Sequence, residues 1–141
     1  MSTKNIKIIF VLLIILFILI RMAGLSLPYH QDEWKVVSMS ATAEGASSLT
    51  HPPLTQLFFR LDQALFGPDA MRILPFIFSV AGAWLLFLIL RQRSSEKTAI
   101  VGLALSSIVF YSVWSSIQLD TDGAILPFFF LLSFYTYDRW R

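Results

Sequence analysis

The sequence predicts an all-α, multi-pass membrane protein with about four transmembrane helices and one long outer loop. Three observations carry this. Of 141 residues, 56% are hydrophobic and 14% charged, with a mean hydropathy of +0.68, whereas a soluble domain is about 45–50% apolar and about 25% charged. Stretches 6–25, 73–90, 98–117 and 124–137 approach the roughly 20 apolar residues that a membrane-spanning helix needs. The basic residues, finally, are shared unevenly among the segments that join these stretches.

The first stretch follows Lys4 and Lys7. Its apolar run exceeds the roughly 7–15 residues of a signal peptide, and Arg21 stands where a small-residue cleavage site would fall. It reads as a retained anchor. With both termini inside, the short cytoplasmic segments hold Lys4, Lys7, Arg91, Arg93, Lys97, Arg139 and Arg141, the asymmetry expected of a cytoplasmic face. Asp32, Glu33, Glu44, Asp62, Asp69, Asp120 and Asp122 then face outward with both histidines, His30 and His51.

The outer loop, residues 28–71, is too short for an independent soluble domain, yet it is patterned. Leu54, Leu57, Phe58, Leu61 and Leu65 fall on one helical face. Thr50 or His51 can cap that helix, Pro52 suits its first turn, and Gly67-Pro68 ends it. Such amphipathic helices are expected to lie along the membrane interface.

Composition excludes several functions. A net charge of +2, dispersed along the chain, is no nucleic-acid surface. The absence of cysteine removes disulfides, thiolate metal sites and cysteine nucleophiles. The predicted spans carry no acidic residue in their middles, which weighs against an ion-coupled transporter.

Chemistry is expected in three places at the outer ends of the spans. Asp32 and Glu33 are adjacent, and on a helix they point about 100° apart. One would face a cavity and the other cap or face water, or both would simply decorate a helix N-terminus; spacing alone slightly favours the second. Asp120 and Asp122 flank Thr121 in a minimal turn. If extended, they point the same way and could bind Mg²⁺, Mn²⁺ or sugar hydroxyls; the alternative is a solvated turn using Gly123. His51, beside a helix start, and Arg72, at the mouth of the second span, are candidates to hold an anion such as a phosphate. The plainer roles are a helix cap for His51 and an interfacial anchor for Arg72.

In this order the motifs Asp32-Glu33, His51-Pro52-Pro53-Leu54, Phe66-Gly67, Arg72 and Asp120-Thr121-Asp122 resemble the membrane glycosyltransferases of the GT-C superfamily. The likeness is to the N-terminal portion of the protein mannosyltransferase and aminoarabinose transferase branch. The resemblance implies a polyprenyl-phosphate-linked sugar as donor and a lipid, polysaccharide or protein acceptor. Transfer would invert the anomeric carbon on the outer face of the plasma (inner) membrane. It implies catalytic roles for Asp32 and Glu33, a divalent cation at Asp120 and Asp122 in some branches, and donor-phosphate contacts from His51 and Arg72. Family members have more than four spans, so a fragment, or a chain completed by a second polypeptide, is the expectation here. The alternative expectation is a non-catalytic membrane subunit or lipid-phosphate-binding partner protein.

Overall fold

The computed structural model describes residues 3–42, 44–45, 53–119 and 121–141. Among the described residues the regular structure is helical throughout: α1 (Thr3–Leu25), α2 (Gln31–Ser40), α3 (Pro53–Phe66), a 3₁₀ turn (Pro68–Ala70), α4 (Ile73–Arg93), α5 (Glu96–Ile108), α6 (Phe110–Ser116), a π turn (Thr121–Ile125) and α7 (Leu126–Trp140). Segments Asn5–Leu25 and Pro68–Arg93 are long and apolar enough to cross a membrane. On α1, Ile8, Val11, Leu12, Ile15, Leu19 and Met22 are all exposed. A helix apolar on nearly every side belongs in lipid or in a large core, and the rest of this bundle is too small to cover it.

The helices close around two apolar clusters. Phe17, Ala83, Phe87, Ala99 and Leu103 join α1, α4 and α5. The close approach of α4 and α5 depends on small residues: a Cβ on Gly102 would strike the Leu90 side chain, and packing through Gly and Ala is how membrane helices gain van der Waals contact. The second cluster, Val36, Val37, Phe59, Met71, Leu119 and Ile125, sits where α2, α3 and the start of α4 meet the π turn. Beside it Phe58 packs against Phe78 and Phe129, with ring centroids 5.1 and 5.7 Å away. At the opposite end of the bundle Arg93 on α4 pairs with Asp138 on α7.

The structure refines three expectations. The third apolar stretch is interrupted at Val109, whose extended backbone (φ −64°, ψ 121°) separates α5 from α6. Ser106 and Ser107 both turn their hydroxyls onto the Leu103 carbonyl just before the interruption, a bonding pattern that bends helices. The fourth stretch enters through a π turn before α7 begins. On α3, the predicted apolar face does not pack inward: Leu54, Leu57, Leu61 and Leu65 are exposed while Thr55, Phe59 and Asp62 are buried. That stripe is free to meet a membrane interface, as its amphipathicity predicts. Thr50, His51 and Pro52, the expected start of this helix, lie outside the described residues.

Helix α3 ends at Gly67, with φ 81° and ψ 169°, a conformation essentially reserved for glycine. A Cβ there would meet nothing within 4 Å. Gly67→Ala should therefore act through backbone strain alone and lower stability by about 1–3 kcal/mol, read as a reduced melting temperature in detergent.

Candidate functional site

The acidic pair is separated by helix geometry. His30 is the N-cap of α2: its Nδ1 accepts from the Asp32 N–H (3.5 Å), and the Glu33 Oε2 accepts from the His30 N–H (2.7 Å). This is a capping box in which histidine takes the usual Ser or Thr position. It turns Glu33 back toward α1 and leaves Asp32 facing out. The side chains are 6% and 79% exposed respectively.

Glu33 then meets Arg72, the residue before α4. Arg72 Nε donates to Oε1 (3.0 Å) and Nη2 to Oε2 (2.6 Å), the bidentate fork that guanidinium and carboxylate favour. The remaining N–H groups of Arg72 reach the carbonyls of Gly24 (3.1 Å), Leu27 (2.6 Å) and Pro28 (3.1 Å), which follow or end α1. The Leu119 N–H donates to Glu33 Oε1 at 3.0 Å. Every donor of Arg72 has an acceptor, and Glu33 accepts four hydrogen bonds, the capacity of a carboxylate. Burial alone would push the Glu33 carboxyl up. The bonds from Arg72, His30 and Leu119 outweigh it and hold the carboxyl below the usual range.

One buried ion pair thus joins the end of α1, the start of α2, the start of α4 and the segment leading to the π turn. The Leu119 bond ties Glu33 to a segment 86 positions further along, just before the π turn. Next to the pair lies a cavity of about 260 Å³ lined by Pro28, Tyr29, His30, Glu33, Arg72 and Trp114, among others. Asp32 is not part of that lining; it is exposed, with Lys35 Nζ at 3.6 Å and Nδ1 of His30, which does line the cavity, at 3.9 Å.

His51 and Asp120 lie outside the described residues, and of Asp122 only the backbone, within the π turn, is described. Among the described residues no three His, Asp or Glu side chains gather as a metal site would require. Arg72, expected at a phosphate, has internal partners for all its N–H groups.

Sequence reasoning passed over Asp62. It lies on α3 opposite the leucine stripe, fully buried; its Oδ1 accepts the Leu74 N–H (3.2 Å) at the start of α4, and its Oδ2 has no partner. Only its place in the buried sequence Thr55, Phe59, Asp62 could have marked it. Burial pushes the carboxyl up to about 7, and the Leu74 bond opposes that rise only in part. Between its ordinary value of 3.8 and about 7 the unfolded chain has lost this proton and the folded chain keeps it. Stability therefore falls as pH rises through that window and levels off above it. Asp62→Asn retains an acceptor for Leu74 and cannot ionise. It should match wild type near pH 4 and exceed it at pH 8 by about 1–3 kcal/mol, measured by unfolding in detergent at both pH values.

Residues 50–141 match the family model for dolichyl-phosphate-mannose-protein mannosyltransferase. No curated protein and no solved structure matches the chain. The matched stretch contains Arg72 and the Asp120–Asp122 turn but begins after Asp32 and Glu33. The hydrogen bonds from Arg72 and Leu119 attach Glu33 to it.

Proposed function

From the premise that this chain belongs to the dolichyl-phosphate-mannose-protein mannosyltransferase family, membrane glycosyltransferases of the GT-C type, we propose that it activates the acceptor in sugar transfer from a polyprenyl-phosphate donor. An acceptor hydroxyl attacks the anomeric carbon as the bond from that carbon to the phosphate oxygen breaks. The phosphate leaves on its lipid, and the sugar is inverted. Asp32 takes the hydroxyl proton, the role of a general base.

One observation supports this reading: of two adjacent acids, Glu33 is fully bonded in a buried ion pair, while Asp32 is exposed beside His30, which lines the neighbouring cavity. Glu33 and Arg72 serve as positioning residues. A phosphate could reach Arg72 only by displacing bonds it already makes. His51 is proposed to assist donor binding, and the Asp120–Asp122 turn to contact sugar hydroxyls or a divalent cation. In this reading both termini are cytoplasmic and the acidic end opens on the outer face of the plasma membrane.

The test is transfer of labelled sugar from a panel of polyprenyl-phosphate donors, in membranes containing the chain and any polypeptide that co-purifies with it. Turnover that Asp32→Asn removes is the expected result. Turnover indifferent to Asp32 overturns the base assignment. Absence of turnover from an intact wild-type assembly would instead favour the non-catalytic, lipid-phosphate-binding alternative.

A further inference from the structure

Arg21 lies within the first apolar helix, fully buried. Its bonds go only to neutral acceptors: Nε to Ser116 Oγ (2.8 Å), Nη2 to the carbonyls of Ser106 (3.0 Å) and Ser112 (3.2 Å) and to Ser112 Oγ (3.1 Å), and Nη1 to the Phe17 carbonyl (3.4 Å). Arg72 has an acidic partner and an acceptor for each of its five N–H groups. Arg21 has neither: among the described residues no carboxylate faces it, and Nη1 makes a single long bond for its two hydrogens. A charge taken out of water without a counter-charge is costly, and ionisable groups within spans mark ligand paths more often than structure.

The surroundings agree. Arg21 bonds to both sides of the break at Val109, and interrupted backbone at membrane depth is tolerated where it is buried in protein or lines a cavity. A cavity of about 280 Å³ lies there. Its lining includes Arg21, Ser79, Ser112 and Ser115 together with Phe78 and Leu131. A cation and hydroxyls together with hydrocarbon fit an anion bearing an apolar chain.

We propose that this cavity receives the phosphate group of an alkyl-linked phosphate, with Arg21 supplying the counter-charge. The inference rests on the reading that the chain handles lipid-linked phosphate, and it adds a site separate from the Glu33 end. A clamp that merely secures the helix break would affect stability without distinguishing a phosphate from an alcohol.

The experiment measures binding to the full chain in nanodiscs, with fluorescent polyprenyl phosphate, the matching polyprenol, and inorganic phosphate as competitor. Wild type should prefer polyprenyl phosphate to polyprenol by about tenfold or more, the worth of one charge-assisted hydrogen bond. Arg21→Gln should abolish the preference and Arg21→Lys restore part of it. Should Arg21→Gln not fold, Gly82→Leu probes another part of the lining, where a Cβ meets nothing nearer than 3.9 Å, and it should weaken polyprenyl-phosphate binding by filling the cavity. Equal preference in wild type and Arg21→Gln, or no preference in wild type, overturns the site. So does unchanged binding in Gly82→Leu. Competition by inorganic phosphate as strong as by the lipid overturns the alkyl-linked part. Arg21-dependent binding alongside transfer indifferent to Asp32 would leave this site standing and sink the functional reading alone; the converse would sink only the site.

Discussion

Replacing Arg72 with methionine should cost about 3–5 kcal/mol of stability, the usual penalty for removing one partner of a buried ion pair. The loss has two sources. Glu33 would keep only the His30 and Leu119 N–H groups as partners for a carboxylate that is 6% exposed. The carbonyls of Gly24, Leu27 and Pro28 would lose the donor that ties the end of α1 to α4. Glu33→Met should cost a similar amount. The double replacement should cost clearly less than the two added together, because removing both charges leaves neither uncompensated. It should not return to wild type, since the three carbonyls remain without a guanidinium. A double-mutant cycle of thermal unfolding in detergent measures this coupling, and strict additivity would mean that the pair contributes nothing as a pair. The pH dependence runs opposite to that of Asp62. Because the Glu33 carboxyl is held below its ordinary 4.5, its contribution is complete above that value and is lost as pH falls through the lower folded one.

The parts of this architecture that depend on local pattern were legible in the residues. Apolar runs marked the two long helices, and the spacing of Leu54, Leu57, Leu61 and Leu65 marked both a helix and the face it leaves uncovered. The Gly67-Pro68 stop was equally plain. What depends on distant partners was not. Adjacent positions on a helix leave Asp32 and Glu33 equivalent until something selects one. The choice is made by His30 capping α2 and by Arg72, 39 positions further along. Arg72 looked available for a ligand because nothing in its neighbourhood of sequence shows that three carbonyls of another helix end will meet it. The break at Val109 lies inside an apolar run that reads as continuous. It becomes intelligible only when Arg21, from the first helix, is seen bonding to Ser106, Ser112 and Ser116 around it.

The largest functional effect is expected from Asp32→Asn, a loss of about 10²–10⁴-fold in kcat for sugar transfer, the range that a positioned general base supplies. Asparagine keeps the size and polarity of the side chain and cannot take a proton. The substitution should scarcely touch the fold. Asp32 is largely exposed, its nearest charged neighbours are Lys35 and His30, and a carboxylate in the first turn of a helix contributes only about 0.3–1 kcal/mol. Glu33→Gln should separate from it on both axes. It keeps the shape of the buried pair but loses its charge, so stability should fall while any loss of turnover follows the unfolding of α2 from Arg72. If Asp32→Asn and Glu33→Gln are compared below the melting temperature of each, only the first should lose kcat with KM for the donor unchanged. The reverse pattern would move the base to Glu33 and require the ion pair to open during turnover. Equal, small losses from both would direct attention to Asp120 and Asp122, the other acidic motif of the sequence.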